Sequence, residues 1–195
     1  MKKLYLRSCV ALLCATSLAS CGGSSGSVLV GGTVTGLTKT GLTLTNNGGP
    51  ELTIVPGTGG ANVTFSFPQL IETDANYNVQ VAQQPSAAVC TPRVNTNIGK
   101  GTSNVGTVLI DCVTKTYPLN ATVTGLASGS VTLTNGTNND LVVAANGTFA
   151  FPVQVADGAP YTVTVKAQPA DKNCSVTNGV ATMPSGPATI AVTCS

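Results

Sequence analysis

The stretch Val34-Thr35-Gly36-Leu37, followed by Leu42-Thr43-Leu44-Thr45-Asn46, returns later in the chain as Val123-Thr124-Gly125-Leu126 and Val131-Thr132-Leu133-Thr134-Asn135, at a constant offset of 89 residues. Further on, Phe65-Ser66-Phe67-Pro68 matches Phe149-Ala150-Phe151-Pro152, and Tyr77-Asn78-Val79 matches Tyr161-Thr162-Val163. Gln84-Pro85 matches Gln168-Pro169 and Cys90 matches Cys174, all at offset 84. Cys112 matches Cys194 at offset 82. So many matches in one order mean a tandem duplication of a small unit. The first drop in offset locates a five-residue excess of copy one within 56–61, and the second places two extra residues near 99–101.

Within a copy the period is two. In Tyr161-Thr162-Val163-Thr164-Val165 the apolar residues share one face of a strand. Copy two reads as seven short strands, near 119–124, 130–135, 140–144, 148–154, 161–167, 174–177 and 188–194. Asn135-Gly136, Asn146-Gly147, Asp157-Gly158 and Asn178-Gly179 separate them, dipeptides that supply positive φ in tight turns. No stretch past the leader carries a 3.6-residue apolar stripe. The expected fold is all-β: two tandem immunoglobulin-like antiparallel β-sandwich domains after a cleaved signal peptide. The chain has no Trp and its cysteines come late in each repeat, unlike antibody domains.

Of seven cysteines, Cys90, Cys112, Cys174 and Cys194 lie in the repeats, and four cysteines permit three pairings. The midpoint of Cys174 and Cys194 falls in Met183-Pro184-Ser185-Gly186-Pro187, and that of Cys90 and Cys112 at Gly101. Each pair would close the open end of a last hairpin. Facing residues of an antiparallel pair come within disulfide reach. The expected bridges are therefore Cys90–Cys112 and Cys174–Cys194, each within one repeat.

Upstream, Lys2, Lys3 and Arg7 precede an apolar run over residues 8–20, the order of a secretory signal and too short for a spanning helix. The run ends in Leu18-Ala19-Ser20-Cys21. This resembles the lipobox of bacterial lipoproteins, with Leu at −3 and small residues at −2 and −1. The resemblance implies cleavage before Cys21, a diacylglyceryl group on its thiol and an acyl chain (palmitate or similar) on its amine. Several chains anchor stably where one does not. Gly22 follows instead of the Asp that retains lipoproteins at the inner membrane in enteric bacteria, which implies the outer membrane. Export also brings the later cysteines to an oxidising compartment. The expected organisation is a signal peptide at 1–20, a Gly/Ser tether at 21–27, and repeats at 28–113 and 117–195. Six flexible residues, 22–27, would reach about 13 Å. Tyr117, ahead of Pro118, is expected to pack between the domains and limit their bending.

Composition narrows the chemistry. Charged residues are 8% of the chain, against about 25% in most globular proteins. Without the leader's three basic residues, six of the nine Lys and Arg remain against seven Asp and Glu, a net charge of −1. Such a surface gives nucleic acid no electrostatic footprint. There is no His, which removes Ser-His-Asp and Cys-His catalysis and His-containing zinc sites. The carboxylates Glu51, Glu72, Asp74, Asp111, Asp140, Asp157 and Asp171 are scattered, whereas a glycosidase needs two across a cleft. Glu72 with Asp74, or Asn138-Asn139-Asp140, is too sparse for a calcium cage. Phe65, Phe67, Phe149 and Phe151, paired at spacing two, read as core.

Gly-Gly-Thr-Val-Thr-Gly-Leu, Phe-x-Phe, Tyr-x-Val, Gln-Pro, Cys and Val-Thr-Cys together resemble a β-sandwich module common in proteobacterial lipoproteins. There it stands between a lipid anchor and a larger C-terminal domain; this sequence stops at Ser195. The resemblance implies a non-catalytic, lipid-anchored envelope protein, a spacer or interaction module without catalytic residues, metal or cofactor. Its expected contacts are the membrane, through Cys21, and an unknown envelope protein or glycan. The alternative is a carbohydrate- or peptide-binding lipoprotein using the insertion loop 56–61.

Overall fold

The computed structural model describes residues 26–195, all of it strand, turn and loop apart from one short 3-10 turn. The first copy runs β1 (Ser27–Val28), β2 (Val30–Thr35), β3 (Leu42–Asn46), β4 (Leu52–Ile54), β5 (Val63–Ser66) and β6 (Ile71–Glu72). It continues with β7 (Asn76–Gln83), β8 (Ala88–Pro92), β9 (Ile98–Lys100) and β10 (Val105–Thr114). The second repeats the series as β11 (Thr116–Tyr117), β12 (Leu119–Thr124), β13 (Val131–Asn135), β14 (Asp140–Val143) and β15 (Gly147–Ala150). It ends with β16 (Val155–Ala156), β17 (Pro160–Ala167), β18 (Cys174–Thr177), β19 (Val180–Thr182) and β20 (Ala188–Cys194). Each copy is a sandwich of two four-stranded sheets. The orders are β5-β2-β10-β8 over β4-β3-β7-β9, and β15-β12-β20-β18 over β14-β13-β17-β19.

The period-two reading appears directly in burial. Residues of β20 alternate buried and exposed along the whole strand, which turns Ala188, Ile190, Val192 and Cys194 inward. Each sandwich has its own core. Val34, Leu42, Leu44, Phe67, Val79 and Ile110 centre the first; Val123, Val131, Leu133, Phe151, Val163 and Ile190 centre the second. Phe65 and Phe67 meet edge to face in the first core at 5.8 Å, a favoured arrangement for aromatic rings. Phe149 is partly buried against the second.

Glycine in the repeated Val-Thr-Gly-Leu has a steric cause. Gly36 and Gly125 take φ of +68° and +78°, and a Cβ there would lie 2.3 and 2.1 Å from the carbonyl oxygens of Cys112 and Cys194. Only glycine meets both demands.

The structure departs from the sequence expectation at five points. The sheets are antiparallel except that the first long strand of each copy pairs in parallel with the last, β2 with β10 and β12 with β20. Gly26 and Ser27, expected in the tether, are bonded into the first sandwich: Ser27 faces Glu72, and Gly26 accepts from the Thr73 amide and hydroxyl. The two extra residues of copy one lie in 93–97, not at 99–101. Tyr77 faces Gly99 where Tyr161 faces Ala181, so the shorter offset is already established at β9. The last two sheet-pairing strands are no simple hairpin, because between β8 and β10 the chain crosses to the other sheet as β9. Tyr117, expected between the domains, packs against the second core, where β11 pairs with β16.

Candidate functional site

Cys21 and the leader, 1–20, lie outside the described residues. Of the other singled-out residues, Cys90 is bonded to Cys112 and Cys174 to Cys194, with S–S distances of 2.06 and 2.01 Å. Each pair joins facing residues of an edge strand and the adjacent central strand, with Cα atoms 3.9 Å apart.

The residues that frame these bridges carry the second half of the repeated motif. The Gln84 side chain accepts from the Cys90 amide and donates to the Cys90 carbonyl, both at 2.8 Å. Gln168 does the same for Cys174, at 2.7 and 2.9 Å. β8 and β18 are edge strands, so the backbone groups of these cysteines point away from the sheet. A side-chain amide with one donor and one acceptor satisfies both and blunts the edge against foreign strands. Gln-Pro was visible as a repeated motif; its task shows only once β8 is known to be an edge.

The carboxylates are engaged singly. Asp111 accepts from Arg93 Nε and Nη2, both at 2.9 Å, and from the Thr35 hydroxyl at 3.0 Å. The Arg93 bonds first, then that of Thr35, hold its pKa below the ordinary aspartate value. Asp140 is lowered likewise, by Lys166 first and then Thr134. Glu51 accepts from Thr43, and Asp171 from Ser128, both at 2.9 Å. Asp157 faces Lys39 at 3.6 Å. Asp74 occupies a turn at φ +66°, two residues after Glu72 at the end of β6. Asn139, expected at most to help a calcium site, instead bridges the Val153 backbone through both ends of its amide, at 3.1 Å. Among the described residues no three Cys, Asp or Glu gather as metal ligands. The arrangement offers hydrogen-bonded bracing and no acid–base pair across a cleft.

The insertion forms the 3-10 turn Thr58–Gly60 between β4 and β5, with no buried residue. Beside it a shallow depression of about 190 Å³ runs between the two edge strands, lined by Leu52, Ile54, Val63 and Phe65. The loop itself carries no aromatic ring on which a sugar could stack. A second hollow of about 210 Å³ at the opposite end is lined by Asn46, Asn47, Pro50, Phe67, Gln69 and Ile71.

No family model matches the chain, and no curated protein matches it. Among solved structures it is similar to the Bacillus anthracis TIE protein, at 13% identity over 86% of this chain and a TM-score of 0.40. It spans about a third of that protein, 34%. It is also similar to a point mutant of the shaft pilin SpaA from Lactobacillus rhamnosus GG, at 12% identity over 87% of this chain and 99% of that one, with a TM-score of 0.29.

Proposed function

We propose that this chain is a lipid-anchored envelope protein whose two sandwiches act as a non-catalytic spacer or interaction module, held at the outer membrane through Cys21. The observation that carries this reading is Leu18-Ala19-Ser20-Cys21 at the end of a short, basic-flanked apolar run. A fold whose carboxylates are mostly engaged by neighbouring side chains and whose repeats carry disulfides suits such a role. With Gly26 and Ser27 tied into the first sandwich, the tether expected from the sequence would end at residue 25. Four residues would reach about 11 Å, so the first sandwich would stand close to the headgroups. Growth with an alkyne-tagged fatty acid tests the anchor. The native chain is expected to take up label and fractionate with outer membrane, and Cys21→Ser to lose both. Unlabelled native protein would end the lipoprotein reading and leave the two sandwiches untouched.

A further inference from the structure

The duplication provides an internal control for one contact. At position 39, in the loop after Val-Thr-Gly-Leu, copy one has Lys; the matching residue of copy two, at offset 89, is Ser128. Ser128 bonds within its own sandwich, to Asp171. At position 157, after β16, copy two has Asp; the matching residue of copy one, at offset 84, is Thr73. Thr73 also bonds locally, to Gly26. The two unmatched residues meet each other across the junction. Lys39 Nζ lies 3.6 Å from Asp157 Oδ1, and the Asp157 side chain is only 2% exposed. Its other oxygen, Oδ2, is buried with no hydrogen-bond partner. A carboxylate buried to this degree is costly without its cation, which favours the arrangement that keeps Lys39 beside it.

The chain crossing the junction is bonded on both sides. Val113 and Thr114 pair with Val89 and Ala88 of the first sandwich, and Thr116 and Tyr117 with Ala156 and Val155 of the second. Between them the Lys115 amide donates to Ala87 of the first, and its carbonyl accepts from Asp157 of the second. The Lys115 ammonium donates to the Ser86 carbonyl at 2.8 Å. Residues 113 to 117 are thus bonded in turn to the first sandwich and to the second, which leaves the contact at Lys39 and Asp157 to fix the angle between them. The insertion of copy one backs onto the Lys39 loop, where a Cβ at Gly60 would lie 3.5 Å from Thr38.

We propose that Lys39 and Asp157 form a junction lock that, with the clasp at Lys115, makes the two sandwiches one rigid body of fixed angle. The inference does not depend on the anchor and holds or fails whether or not Cys21 carries lipid. Residual dipolar couplings of the full-length chain test it. Lys39→Ser and Asp157→Thr install the residues that the sister copy uses at these positions, so each is compatible with the fold. For the native chain, one alignment tensor is expected to fit the couplings of both sandwiches. Each variant is expected to lose that shared tensor while amide shifts of both cores stay unchanged. Two tensors in the native chain would overturn the rigid body, and a shared tensor retained in either variant would overturn the lock.

Discussion

Asp111 shows how a side chain can stabilise a neutral-surfaced protein without belonging to a catalytic site. Arg93 grips both oxygens and Thr35 adds a third bond, so the folded state favours the carboxylate. Its folded pKa is therefore below the unfolded value of about 3.9. A depressed carboxylate contributes stability that is present above the unfolded pKa and is lost as pH falls through the folded one. Asp140, held by Lys166, contributes in the same direction. Asp111→Asn should thus be less stable than the native chain at neutral pH and should lose less further stability between about pH 4 and pH 2. Denaturant midpoints across that range measure the difference; parallel curves for the two proteins would contradict it. None of these partners was legible in the sequence. Arg93 and Asp111 are 18 residues apart, and Thr35 is 76 from Asp111. Only the sheet brings them together, because β2, β10 and β8 are neighbours.

At the level of strands, alternation made most of the sandwich readable. The long strands of copy two stand where Val, Thr and Tyr alternate, and the expected turns fall at Asn-Gly and Asp-Gly. What escaped were the shortest pieces. β11, β16 and β19 have two or three residues each, too few to show a period. The direction of pairing also escaped, since alternation puts Leu119 and Ile190 in the core whether β12 and β20 run parallel or antiparallel. The excursion through β9 escaped for both reasons. It matters for the bridges, because Cys174 and Cys194 join two strands of one sheet between which the chain visits the other. Closing that 20-residue separation should contribute about 3 kcal/mol through restriction of the unfolded chain. Replacing both cysteines with Ala should lower the unfolding free energy of the second sandwich by that amount and leave the first unaffected. Denaturation followed separately by resolved amide signals of each sandwich checks it; equal losses in both would refute the assignment.

Over the whole molecule, each sandwich is completed by its last strand, which must find its place beside the first. Val30 pairs near Val105, and Leu119 pairs with Ala188. Contacts so distant in sequence cost loop entropy before they return any stabilisation, so refolding of the oxidised chain should take milliseconds to seconds rather than microseconds. Stopped-flow refolding measures this directly, and a microsecond phase carrying the full amplitude would be incompatible with the topology. The same parallel ladder has a mechanical consequence. After the short β1, the chain enters the four-stranded sheet of the first sandwich at the start of β2 and leaves it at the end of β10, so the two strands run alongside each other with their entry and exit ends opposite. A pull along the molecule slides them lengthwise and strains all their rungs together instead of peeling them singly. β12 and β20 repeat this in series. Behind each ladder a cystine ties the last strand to its neighbour, so a sandwich that yields still keeps a closed loop that tension cannot extend.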